Sequence, residues 1–261
     1  MRITIITSNN LRHNYLINQM SKISKRIYVI QECKPKIGGS SSSFYKKSKQ
    51  IFNYFLKVTK SQKKIFKNTK SEFLNLKNLK LITLNYGDLN FLNWKKNREF
   101  FKSDIYIVFG SSFIRGSLCN FLVRNKAINI HMGISPYYKG SDCNFWAAHD
   151  SNSNLVGATI HYLSKGLDSG KILYHSLPKH YFDPFMYSMS SVKSAIDSLS
   201  KRIKDNTIFN IKSEIQDKSL LIRYSKKKDF NMKSIKKFYK IKKIKRINFD
   251  KKFFKDPIFS K

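Results

Sequence analysis

Asn129 and His131 stand two residues apart at the end of the apolar run Ala127–Ile130. In an extended segment such positions project from the same face. An amide and an imidazole therefore point together off the end of a strand. An amide NH₂ donates hydrogen bonds, and an imidazole moves protons near neutral pH. A second apolar run, Ala158–Ile160, leads to Lys165-Gly166-Leu167-Asp168-Ser169-Gly170, where two glycines bracket one carboxylate. Backbone that must bend sharply beside a ligand uses glycine, and a carboxylate near an imidazole favours its charged form. Between the runs, Gly133, Pro136 and Gly140 break regular structure, so a shaped loop is expected. Taken singly, each of the three polar residues reads as a satisfied group at a strand end. Taken with the glycines and the spacing, Asn129, His131 and Asp168 read as a catalytic set. His161, seven residues before Asp168, either lines the site or bonds internally, and both readings stay open. His149 and His175 read as surface or core residues.

The elements that must hold these residues are those of an α/β protein. Ile3–Thr7 is a β-branched first strand, Leu11, Tyr15, Leu16, Met20 and Ile23 follow at helical spacing, and Ile27–Ile30 is a second strand. This βαβ opening implies an open, parallel-rich sheet with helices on its faces. Leu81–Leu84 and Ile105–Phe109 read as further strands, the latter apolar throughout, as a strand covered on both faces should be. It ends in Gly110-Ser111-Ser112, a second loop at the edge where ligands of open α/β sheets gather. Ser141 to Asp150 reads as a short helix capped by Ser141 or Asp142. Met189, Val192, Ala195, Ile196, Leu199 and Ile203 form the apolar stripe of a helix closing this part. The expected division is a catalytic domain over 1–205 and a small basic extension over 206–261. A basic helical insertion at about 44–70 follows a Gly/Ser hinge at Gly38–Ser43 and turns Ile51, Phe52, Phe55 and Val58 inward. Trp94, Phe100 and Phe101 read as core rings rather than a base-stacking platform.

The 261 residues suffice for a substantial core, and 41% hydrophobic and 14% aromatic content place the chain among globular proteins. A formal charge of +35 would ordinarily suggest a nucleic-acid or membrane-surface partner. The excess lysine travels with asparagine, isoleucine, phenylalanine and tyrosine, all encoded by A/T-rich codons, so base composition accounts for it equally well. Cys33, Cys119 and Cys143 share no metal-ligand spacing, so no metal site is expected and a reducing, cytoplasmic setting is. No run of about twenty apolar residues offers a membrane span, and MRITIITSNN lacks the build of a secretory leader.

The pattern Asn129-x-His131, Ser135-Pro136-x-Tyr138-x-Gly140, Gly157-x-Thr159-x-His161 and Leu167-Asp168-x-Gly170 resembles the folate-dependent formyltransferases, mainly over Asp104 to Leu177. The resemblance implies a Rossmann-like fold and transfer of a formyl group from the co-substrate 10-formyltetrahydrofolate to an amine, without a metal. It assigns Asn129 to the oxyanion, His131 to proton movement, and Asp168 to keeping His131 charged or holding a relay water. It places Gly110, Phe113, Ile114 and Arg115, through main-chain groups, and Leu163, Ser164, Gly166 and Leu167 beside the folate. Asn10, Arg12, His13, Tyr138, Lys139 and Trp146 become candidates for contact with the acceptor. The turn Ser8-Asn9-Asn10 has no glycine to cradle a phosphate, and the 56 residues after Asp205 are few for a C-terminal barrel. The favoured acceptor is therefore the amine of a nucleotide-linked amino sugar or similar small metabolite. Glycinamide ribonucleotide and methionyl-tRNA are runners-up, and a non-catalytic RNA-binding homologue is the alternative of another class. Nucleic acid binding through the tail is not favoured, and the oligomeric state is open. If the tail's charge reflects base composition, removing Lys226–Lys261 should leave formylation of a small amine largely intact.

Overall fold

The computed structural model describes residues 1–34, 49–67 and 69–259; the expected hinge Gly38–Ser43 and the start of the insertion at 44–48 lie outside the described residues. β1 (Arg2–Ser8), α1 (Leu11–Ser21) and β2 (Arg26–Cys33) form the expected opening unit. α2 (Lys49–Ile65), α3 (Thr69–Leu74), β3 (Leu79–Asn85), β4 (Ile105–Phe109), α4 (Gly116–Arg124) and β5 (Ile128–His131) follow. The chain continues through β6 (Tyr138–Gly140), α5 (Cys143–His149), β7 (Ala158–Tyr162), β8 (Ile172–Leu177) and α6 (Pro184–Lys204). It closes with β9 (Arg223–Ser225), α7 (Met232–Phe238) and β10 (Ile258–Phe259).

Eight strands make one sheet in the order β10-β8-β7-β5-β4-β1-β2-β3. From β3 through β5 every pairing is parallel; β7 runs antiparallel to β5 and β8 antiparallel to β7. Strand alternation decides which side chains face which layer. Ile3 and Ile5 of β1 and Ile105, Ile107 and Phe109 of β4 pack beneath Leu16 and Met20 of α1 and Val192 and Ile196 of α6. Ile6, Tyr106 and Val108, offset by one position, pack against Leu118 and Leu122 of α4. Helices thus cover both faces, and β1, β2, β4 and β5 all end at one edge. Trp94 and Phe101 lie in the layer under α4, where Trp94 meets Phe121 at 4.5 Å between ring centroids, so these rings are core as expected.

α2 corrects the inward stripe read from the sequence. Phe52 and Phe55 are 41% and 43% exposed. Tyr54 turns inward instead, meeting Phe145, Phe185, Phe230 and Phe238 at 5.1–5.8 Å between centroids. Four rings offered by α5, α6 and the C-terminal segment outweigh the phenylalanine periodicity within α2.

Residues 206–259 lie along the rest of the molecule. β10 pairs parallel with β8 at the sheet edge, β9 pairs parallel with β6 in a small second sheet, and Glu214 bridges to Ile172. Phe238, Ile244 and Phe254 are buried in one cluster with Phe145, Trp146 and Phe185. Truncating one buried phenylalanine costs about 3–5 kcal/mol, and 1 kcal/mol moves Tm by about 2–4 °C in a chain of this size. A chain ending at Ser225 is therefore expected to melt at least about 10 °C lower or to lose its cooperative transition. An unchanged thermal melt would mean these rings stabilise nothing. The expectation that the Lys-rich tail can be removed with little effect does not fit this packing.

Among the described residues, no helix is long and apolar enough to cross a membrane.

Candidate active site

A cavity of about 650 Å³ opens where β1, β4 and β5 end, and Asn129, His131 and Asp168 all line it. Asn129 and His131 flank Ile130 on β5, so the strand's alternation sends both polar side chains to the cavity and Ile130 into the core. Asp168 reaches them from the loop after β7 with φ +46°, the left-handed region that few residues other than glycine, asparagine and aspartate enter. Gly170 permits the approach, because a Cβ there would stand 1.7 Å from the Tyr162 carbonyl oxygen.

The three side chains form one network. His131 Nδ1 lies 3.3 Å from Asp168 Oδ1, and His131 Nε2 lies 3.0 Å from the Tyr138 carbonyl oxygen. Both ring nitrogens face acceptors, an arrangement that an imidazolium satisfies. Burial alone would lower the His131 pKa, but Asp168 and Cys143 beside it outweigh burial and raise it well above the usual histidine value. Burial opposes ionisation of Asp168 too, yet His131 and the Gly140 N–H, 3.2 Å from its Oδ2, hold the carboxyl down at about 2. His161 settles the orientation of Asn129. Its Nδ1–H donates to the Tyr162 carbonyl at 2.8 Å, so its Nε2 accepts from Asn129 Nδ2 at 3.0 Å. Burial pushes the His161 pKa down to about 4, which keeps that nitrogen an acceptor. The other N–H of Asn129 has no partner among the described residues, on a side chain that lines the cavity.

The remaining motif residues frame this network. Thr159 Oγ1 accepts from the Ser135 N–H at 2.8 Å and donates to the Gly133 carbonyl at 2.6 Å, fixing the loop after β5. At Gly157 a Cβ would meet Ile134 Cδ1 at 2.6 Å. His175 is buried, accepting from the Lys255 N–H through Nδ1 at 2.8 Å and donating through Nε2 to the Ser135 carbonyl at 2.9 Å.

Gly110, Phe113, Ile114, Leu163, Ser164, Gly166 and Leu167 line the same cavity. Arg115 does not. Its N–H donates to Asn90 Oδ1 at 2.7 Å, and Asn90 Nδ2 donates to the Phe113 carbonyl at 2.8 Å, so two main-chain groups expected beside the folate are already taken. Gly110 and Ser111, earlier in the same loop, line the cavity as well. Ser112 is tied down by the buried Glu32, whose carboxylate also accepts from the Gly87 N–H at 2.8 Å.

The residues expected to touch an acceptor divide. Arg12 and His13 line the cavity. Asn10 caps α1, its N–H donating to His13 Nδ1 at 3.1 Å. Tyr138 is fully buried with its hydroxyl accepting from Asn152 at 2.8 Å, and Trp146 is core, beneath the Arg223 guanidinium at 4.4 Å. Lys139 is buried beside Asp168, and burial lowers its pKa. None of Asn10, Tyr138, Lys139 and Trp146 lines the cavity.

Three groups at the mouth have no local sequence pattern. Lys34 and Lys227 flank the Tyr86 ring at 3.9 and 5.5 Å, and Tyr86 and Lys227 line the cavity with Arg12. The Lys34 pKa is lowered by burial and by the charges of Lys227 and Arg12. Asp142 stands among these cations, its carboxyl raised by burial against their pull. Arg12, Lys34 and Lys227 make no ion pair closer than 4.0 Å among the described residues.

A family model described as formyl transferase matches residues 98–198, which include all three network side chains. Among solved structures, the chain is similar to the N-formyltransferase of Helicobacter canadensis, determined with folinic acid and dTDP-3-aminofucose. The TM-score is 0.56 at 16% identity over 93% of this chain and 81% of that one. It is similar to a 4-N formyltransferase of Francisella tularensis, with TM-score 0.54 at 18% identity over 92% and 87% of the two chains. It is also similar to the phosphoribosylglycinamide formyltransferase of Anaplasma phagocytophilum, with TM-score 0.51 at 15% identity over 78% and 85%. At these identities the likeness is one of fold.

Proposed function

We propose that this chain, whose residues 98–198 match the formyl transferase family model, moves the formyl group of 10-formyltetrahydrofolate onto the primary amine of a small anionic acceptor, a nucleotide-linked amino sugar. The observation that carries this reading is the convergence of Asn129, His131 and Asp168 on one cavity wall. About 650 Å³ is in the usual range for a ligand-sized pocket. Its apolar residues Val108, Ile114, Leu163 and Leu167, with the main chain at Gly110, suit a flat pterin with a polar edge. The bound folate would supply an activated formyl carbon; the chain's own residues do the rest.

Attack by the acceptor amine places negative charge on the formyl oxygen, and the uncommitted N–H of Asn129 would donate to it. The His131 cation adds positive charge nearby, and its Nδ1 proton, shared with Asp168 before attack, would pass to the departing folate nitrogen. The proton that the amine must shed passes to the Asp168 side and returns His131 to its charged form. One C–N bond forms, one breaks, and the net proton movement is from amine to leaving nitrogen.

The acceptor is argued from the mouth of the cavity. Arg12, Lys34 and Lys227 repel one another across a site where, among the described residues, Asp142 and the buried Glu32 offset them in part, which suits a phosphate or diphosphate. The glycinamide ribonucleotide reading is less favoured. The Asn9 side chain pairs with the Lys34 backbone, accepting from its N–H and donating to its carbonyl at 3.2 Å each. That closes the place where a bare loop after β1 would hold a phosphate. The Helicobacter canadensis structure, with its dTDP-amino sugar, agrees with the preferred reading.

A 5-formyl or 5-deaza folate analogue at about a hundred times its Kd adds about 2.7 kcal/mol and should raise Tm by about 5–10 °C. No shift at saturation would remove the folate. A formylation screen with labelled donor then compares amino-sugar nucleotides, glycinamide ribonucleotide and charged initiator tRNA. Preferential labelling of either of the last two would overturn the acceptor.

A further inference from the structure

We infer that Gln216, far outside the motif-bearing region, is a positioning residue for the Asp168 carboxylate; the inference rests on the function proposed above. Asp168 carries two requirements at once. Its carboxylate must span from the Gly140 N–H to His131 Nδ1, and its backbone must stay at φ +46° to place it there. Among the described residues, the loop's own side-chain bonds, Ser164 Oγ to Gly166 O and to Ser169 Oγ, lie on its exposed side and do not reach the Asp168 backbone. The restraint comes from Gln216. Its amide nitrogen donates to the Asp168 carbonyl at 2.9 Å and to the Gly170 carbonyl at 2.7 Å, using both N–H groups on the two sides of Ser169. The side chain is buried, so water does not readily replace those bonds.

Gln216 is itself held by main chain. Glu214, two residues earlier, exchanges backbone hydrogen bonds with Ile172 at 2.7 and 2.8 Å. Six residues on, the N–H groups of Ile222 and Arg223 donate to the Tyr137 carbonyl at 2.9 and 3.0 Å, and Arg223 grips Asp150 with two nitrogens at 2.7 and 3.0 Å. That second anchorage aligns β9 with β6, whose Tyr138 carbonyl receives the other His131 nitrogen. The segment 214–225 therefore backs both acceptors that His131 faces. Gln216 addresses the one whose loss would change the charge state of His131. With the 168–170 turn released, the carboxylate can rotate toward solvent, and the field that keeps His131 protonated weakens.

The test is Gln216→Leu, close in size but without donors, with Gln216→Asn as a second variant that keeps an amide one methylene short. The first readout is the His131 titration by NMR, which needs no acceptor and stands whatever the reaction proves to be. The His131 pKa should fall in Gln216→Leu toward the ordinary histidine value and lie between the two in Gln216→Asn. The second readout is steady-state kinetics with the acceptor found by the screen. Displacing a catalytic group by about an ångström costs up to about a hundredfold, so kcat should fall by roughly ten- to a hundredfold with the KM for donor little changed. The alkaline limb of the kcat–pH profile should move to lower pH. Unchanged His131 titration in both variants would overturn the inference. So would parallel loss of folate-analogue binding and Tm, which would mark Gln216 as structural only. Should no acceptor be formylated while the titration moves as described, the function fails and the positioning role survives.

Discussion

Replacing His131 with alanine is expected to lower kcat by roughly 10²–10⁴-fold, the usual range for a positioned proton-transfer group, while affinity for a folate analogue stays near that of the native chain. The ring stands on the Asp168 side of the cavity, not among the apolar groups proposed to hold the pterin, so binding and turnover should separate. The pH dependence has a definite sign. The proposed step requires charged His131, and the folded-state pKa is raised above the usual value of about 6.5. Turnover should therefore persist through neutral pH and decline only as pH rises through the raised value. In Asp168→Asn the decline should begin at lower pH, because the carboxylate that raises the His131 pKa is gone. The same pair contributes to stability. The His131 part is fully present below about pH 6.5 and lost as pH climbs through the folded value. The Asp168 part is present above about pH 4 and lost as pH falls toward about 2. Equal loss of turnover and analogue affinity in His131→Ala, measured by steady-state kinetics and titration calorimetry, would contradict the role.

Asn129→Ala should cost roughly 10²–10³ in kcat, the range measured when one oxyanion donor is removed elsewhere. The size follows from how thoroughly the amide is fixed. His161 is held as an acceptor by its bond to the Tyr162 carbonyl, so Asn129 can present only nitrogen to it, and its second N–H needs no reorganisation before it can donate. His161→Phe is then expected to retain part of the activity, because the amide survives but is free to take either orientation. A result in which Asn129→Ala turns over within threefold of the native chain, in a stopped assay with labelled donor, would place the oxyanion elsewhere.

Much of this site is readable in the sequence because strand geometry is local. Two polar residues spaced by two across the end of an apolar run must share a face, and the glycines at 166 and 170 mark where the backbone turns beside them. The parallel sheet follows equally from the β-branched runs at Ile3–Thr7 and Ile105–Phe109. Other parts depend on which remote surface a side chain meets. Tyr138 and Trp146 look like acceptor contacts by type, yet Cys143 to Ala148 of α5 are buried on every side, and so short a helix has no stripe to reveal its free face. β6, β9 and β10 span two or three residues each, too few for alternation to register. Gln216 acts on a turn 46 and 48 residues away in sequence, and a lone glutamine between lysine-rich stretches carries no local mark of that partnership.

The late placement of segment 214–225 bears on when a ribosome-bound chain becomes competent. Asn129, His131 and Asp168 all emerge well before Glu214 can zip to Ile172 or Arg223 can reach Asp150. During translation the nascent domain would hold its reactive groups without the brace that aligns two of them, and would stay idle until segment 214–225 docked.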